Sequence, residues 1–172
     1  SGRLRDPTGR TADNWAGAAA LVRPDSVWHC AASSAMFLRR TLLDRIGRFD
    51  EALGLGSPHL WSAAEEIDLL ARAVRAGARI LYDPELDVVH DVLSRQQLHA
   101  LGFRDGAAVG YVLAKNGYPA AAVGRMLVRP AGGALLALLQ GDLAEARFQA
   151  RTLHGRLLGL RGGARARATA GA

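Results

Sequence analysis

The apolar positions of the chain change period near residue 94. Before it, apolar runs are short and divided by Gly, Pro, Asp and Arg. Beyond it they recur at helical spacing almost to the end. Residues 1–26 show no clear period and read as loop, with a short helical run in "WAGAAALV". The small, apolar stretch "VWHCAASSAMFLRR" (27–40) reads as a buried strand. Thr41 and Asp44 have the spacing of a capping box, and Gly47 is placed to end that helix in the left-handed conformation. The Gly- and Pro-bearing loop "FDEALGLGSPHLWSA" follows. A helix is predicted over 64–76, stopped by Gly77, then a strand in "ARILY" and another in "LDVVH" that ends on His90.

From Ser94 onward three helices are predicted. The first reaches Asn116 and stops at Gly117; the second is bent or broken near Pro130. The third opens with Asp142 as N-cap and Glu145 in its first turn. Leu143, Ala146, Ala150, Leu153, Leu157 and Leu160 mark its predicted buried stripe. The organisation expected is α/β over 1–93, a helical extension over 94–160 and a disordered basic tail over 161–172. The most apolar stretch, "MLVRPAGGALLALL" (126–139), is interrupted by Arg129 and Pro130 and reads as an interfacial or buried helix, not a membrane span.

Composition changes this picture little. The chain has 172 residues, 49% hydrophobic and 22% charged, enough for a folded core. Its net charge of +6 permits phosphate, nucleic-acid or anionic-membrane binding without choosing among them. Aromatic residues are sparse, and no helix-turn-helix or zinc pattern argues for nucleic acid. The lone Cys30 excludes an internal disulfide and suits a reducing compartment. The polar start shows no signal peptide.

Candidate chemistry centres on "AAEEIDLLARAVRAGARILYDPELDVVH" (63–90). On a helical wheel Glu65, Asp68, Arg72, Arg75 and Arg79 form a charged stripe suited to a wet surface. Acids precede bases along it, as the helix dipole favours, and Asp68 and Arg72 stand four apart. Ile67, Leu70, Ala71 and Val74 form the predicted buried stripe. Glu66 belongs to neither; it falls on the flank of Leu69, Leu70 and Ala73, where a carboxylate either snorkels out or faces a cleft. His90 at a strand end is either structural or a metal-ligating imidazole.

The segments "AMFLRRTLLDRIGRFDEALG" and "AEEIDLLARAVRAGARILYDPELDVVH" together resemble the second half of the catalytic domain of bacterial family-2 glycosyltransferases, which are inverting enzymes of the GT-A fold. The likeness spans about residues 31–91 and lies in the order and spacing of Arg-Arg, Gly-x-Phe-Asp-Glu, the acidic helix start, Ala-Gly, the Tyr-x-Pro strand and the strand ending in His. The helical C-terminal part also resembles extensions of members that make surface polysaccharides.

The resemblance implies a partial GT-A, Rossmann-like domain and transfer from a nucleotide-diphosphate sugar to a saccharide or lipid-linked acceptor. Glu66 stands at the position of the family's catalytic Asp and would be the general base, with one extra methylene. Glu65 and Asp68 would contact the acceptor or support the loop, and Trp61 would stack on a sugar ring. His90 would help to bind Mg2+ or Mn2+ on the diphosphate, and Arg39 or Arg40 would be structural or anion-binding. There is no Asp-x-Asp triplet and no preceding strand–helix repeat, so the expectation is the C-terminal portion of a longer enzyme. That enzyme would be cytoplasmic, with its basic helices able to rest on the inner face of the membrane. The competing reading is a non-enzymatic basic helical module for an anionic membrane surface or nucleic acid.

Overall fold

A computed structural model describes residues 1–9, 11, 15–91 and 93–170. The chain mixes helix with two small sheets, and helix greatly outweighs strand. It divides into two compact units. The first comprises 1–50 and 65–93; the second comprises 51–64 and 94–172. The break at 93/94 coincides with the change of apolar period, but the loop 51–64 belongs to the helical unit.

In the first unit β1 (Arg3–Arg5) runs parallel to β4 (Asp87–Val89), and β2 (Ala20–Leu21) runs antiparallel to β3 (Leu81–Tyr82). Arg5 pairs with Asp87 across the first ladder. Neither β1 nor β2 was expected; residues so close to the N-terminus become strands through partners some 60–80 positions away. The strand expected over 27–40 is replaced by two 3-10 turns, Val27–His29 and Ser33–Ala35, followed by extended chain. Val27, Cys30, Ala31, Ala32 and Ala35 are buried, and the three consecutive buried positions do not follow the alternation of a half-buried strand. Val22, Val27, Cys30, Ala31, Leu70 and Tyr82 form the core, and the Tyr82 hydroxyl donates to the Ala16 carbonyl at 3.0 Å.

Helix α1 (Arg40–Ile46) begins after Arg39 with no side-chain cap, so the Thr41–Asp44 box does not form. It stops at Gly47 as expected, with φ 80° but ψ 173°, outside the left-handed helical conformation; the Gly47 N–H donates to Leu43 O at 2.8 Å. Helix α2 (Glu65–Arg75) stops short of Gly77, which has φ 79°.

The second unit holds α3 (Arg95–Lys115), α4 (Ala120–Leu139) and α5 (Leu143–Ala170). Ser94 and Gln97 cap α3 reciprocally, and the Glu145 N–H donates to Asp142 Oδ1 at 2.9 Å to open α5. Helix α5 continues to Ala170, so residues 161–170 are helical where a disordered tail was expected. Residues 171–172 lie outside the described range.

The contact between α3 and α5 explains that continuation. Gly102, Gly106 and Gly110 face α5, while Gly155, Gly159 and Gly163 face α3. A β-carbon on Gly106, Gly110, Gly155, Gly159 or Gly163 would fall within 3.0 Å of a backbone carbonyl of the other helix. The backbones therefore touch along three turns, and the last contact, Gly163 on Tyr111, lies inside the supposed tail. The buried stripe of α5 is accordingly Ala146, Thr152, Gly155, Gly159 and Gly163; Leu143 and Leu157 of the expected stripe are exposed.

Pro130 lies inside α4. Proline has no N–H, so the carbonyl four residues earlier, at Met126, loses its helical donor. Arg156 of α5 supplies one by hydrogen-bonding Met126 O. Burial and the neighbouring Arg129 lower the Arg156 pKa, burial first.

Candidate functional site

The first turn of α2 carries Glu65, Glu66 and Asp68. Anionic groups are favoured there by the unpaired N–H groups and the helix dipole. The residue just before the helix, Ala64, has φ 65°, a left-handed conformation that non-glycine residues rarely hold. The backbone thus enters the acidic turn through a strained residue.

The acids differ in environment. Asp68 is fully buried, contrary to its expected place on a wet stripe. Its carboxylate accepts from Arg72 Nε at 2.9 Å, the expected pairing across one turn. The same guanidinium donates to Ile46 O at 2.5 Å and Arg48 O at 2.7 Å. Asp68 and Arg72 therefore clamp α2 to the end of α1 and to the start of the Gly-Arg-Phe-Asp-Glu stretch. Through Arg72, Asp68 thus braces the chain that leaves α1. The buried face comprises Asp68, Leu69, Leu70, Ala71 and Ala73, with Ile67 and Val74 only partly covered.

Glu66 is half-buried, on the flank of Leu69, Leu70 and Ala73, which are all fully buried. It stands at the outer end of the core-facing surface of the helix. Glu65, also half-buried, lies toward Asp68 and Arg72 on the wheel.

His90 sits elsewhere, one residue beyond β4 and exposed. Its backbone N–H donates to Arg5 O at 2.8 Å, and its Nδ1 lies 2.8 Å from Asp91 O. In the tautomer with the proton on Nδ1 that contact is a hydrogen bond, and Nε2 then carries the free lone pair. Among the described residues no group of three or more His, Cys, Asp or Glu side chains is placed to hold a metal ion.

Trp61 belongs to the second unit. Its ring stacks on Tyr111, centroids 4.9 Å apart, and on His59 at 5.2 Å. Gly162 gives it room: a β-carbon there would collide with the indole. The ring packs the 51–64 loop onto α3 and α5.

Two features went unread in the sequence. The glycines of α3 and α5 recur every fourth residue, a visible sign of helices in backbone contact. Arg72 was read as a surface partner of Asp68, although nothing local announces its reach to the carbonyls of residues 46 and 48. No protein-family model, curated protein or solved structure matches this chain.

Proposed function

We propose that the chain carries the acceptor-side part of an inverting, GT-A-type family-2 glycosyltransferase for bacterial surface polysaccharide or glycolipid synthesis. The observation that supports this reading is the placement of Glu66. It is a half-buried carboxylate in the first turn of a helix that the Asp68–Arg72 clamp holds in place. A base needs a fixed position and an environment that can tune its proton affinity, and the end of an apolar helix face offers both.

In this reading Glu66 removes the proton from an acceptor hydroxyl. The freed oxygen attacks the anomeric carbon of a nucleotide-diphosphate sugar, and the bond to the diphosphate breaks with inversion. Glu65 borders the acceptor. Mg2+ or Mn2+ would supply charge stabilisation on the leaving diphosphate, with His90 offering one ligand.

The test is Glu66→Gln in the protein encoded by the whole reading frame. Sugar transfer should fall by at least about a hundredfold, as loss of a general base does, while circular dichroism and melting stay unchanged. Wild-type turnover would refute the assignment.

A second observation supports a membrane-surface role, by itself or with transfer. Helix α4 exposes Val128, Leu135, Leu136, Leu138 and Leu139, at 56–78%. It contains no acid, and Arg125 and Arg129 are exposed near these residues in sequence. By length and composition it is long and apolar enough to cross a membrane, which the sequence reading did not credit. The arginines and Pro130 within it favour lying in the interface at the inner face of the cell membrane. Arg156 is turned inward to Met126 O.

A further inference from the structure

The first unit contains a cleft of about 670 Å3 between α1 and residues 78–81, within the usual size of a small-molecule site. Neither Glu65, Glu66 nor His90 lines it. Its position follows from the short helix. Thr41, Leu42 and Arg45 of α1 line it on one side, Phe37, Leu38 and Arg39 line it just ahead of the helix, and residues 78–81, which lead into β3, lie opposite.

The lining combines two chemistries. Arg39, Arg45 and Arg79 border the cleft, all exposed, and no acidic residue lines it. Among the described residues no carboxylate pairs with any of the three guanidinium groups. The rest is mainly apolar: Phe37, Leu38, Leu42, Ile80 and Leu81, with Phe37 79% and Leu81 57% exposed. Three like charges that border one cleft without a carboxylate among its lining make it attractive to an anion. Apolar side chains left in water beside them call for an apolar group on the same ligand.

We infer that this cleft binds a phosphate or diphosphate ester with an aliphatic tail, the phosphates on the arginines and the tail along Phe37, Leu42 and Leu81. A nucleotide fits less well. The lining has one aromatic ring, and no Asp, Glu, Asn or Gln side chain to read the edge of a base. The inference does not rest on the transfer reading, since binding is measured without sugar donor or acceptor.

The test is titration calorimetry of the 172-residue chain with farnesyl diphosphate, with inorganic diphosphate and uridine diphosphate as comparisons. Farnesyl diphosphate should bind at least tenfold more tightly than either and lose affinity as salt rises. Arg45→Ala and Arg79→Ala should each weaken it about tenfold, the loss of one charge-assisted contact. Phe37→Ser should weaken farnesyl diphosphate and leave inorganic diphosphate unchanged. These side chains are exposed, so melting curves should match the parent. Equal binding of inorganic diphosphate, tighter binding of uridine diphosphate, or indifference to the arginine substitutions would overturn the proposal. So would a dimer broken by those substitutions, which would assign the cleft to a second copy of the chain.

Discussion

Asp68 and Glu66 stand two positions apart on one helix and meet opposite fates. Asp68 is sealed and paired with Arg72, so its worth lies in holding α2 against the carbonyls that end α1. Breaking a buried pair leaves an uncompensated charge, which commonly costs about 3–5 kcal/mol. Asp68→Ala should therefore lower unfolding stability by an amount near that range, read by urea denaturation. Glu65→Ala, at a half-exposed position with no such clamp, should change it by less than about 0.5 kcal/mol. Equal effects would mean that the clamp does not brace the unit. The pairing was legible from the spacing of 68 and 72, but the burial was not. A helical wheel records direction around one axis, whereas burial depends on which segments lie alongside, and here the end of α1 covers a face that looked wet.

Helices α4 and α5 show a local defect repaired from a distance. Pro130 strips Met126 O of its donor, and Arg156 replaces it. Arg156→Met should destabilise the helical unit by about 1.5–3 kcal/mol, the worth of a hydrogen bond from a charged donor to a partly buried carbonyl. Adding Pro130→Ala should recover part of that loss by restoring the backbone N–H. Additive effects of the two substitutions in thermal melts would reject the coupling.

The glycines make a sharper contrast. Gly106→Ala drives a β-carbon into the Thr152 carbonyl and should cost about 1–3 kcal/mol or more, since backbone must move. Gly132→Ala, on α4 with open space around it, should stabilise by about 0.5–1 kcal/mol through helix propensity alone. Matching shifts in melting temperature would show that α3 and α5 are not in backbone contact.

For the whole chain the surface chemistry sets behaviour. Its charge is +6, and the exposed leucines of α4 occur in an acid-free helix with two exposed arginines. The chain should co-sediment with vesicles rich in anionic lipid, bind neutral vesicles weakly, and dissociate at high salt. Leu135→Ser with Leu139→Ser should weaken that binding at least about tenfold, because each leucine withdrawn from water contributes about 1.5 kcal/mol or more. Indifference to both substitutions would exclude this face as the contact.

Read by itself, the order of residues settled whatever short-range chemistry controls. Ser94 with Gln97, Asp142 with Glu145, and the stops at Gly47, Gly77 and Gly117 act within a few residues, so α2, α3 and the start of α5 stood where expected. The pairing of β1 with β4, the seat of Trp61 on Tyr111, the inward turn of Arg156 and the placement of Arg39, Arg45 and Arg79 along one cleft emerged only with folding. Each joins segments tens of residues apart, and no local preference encodes which distant surface will arrive to complete it.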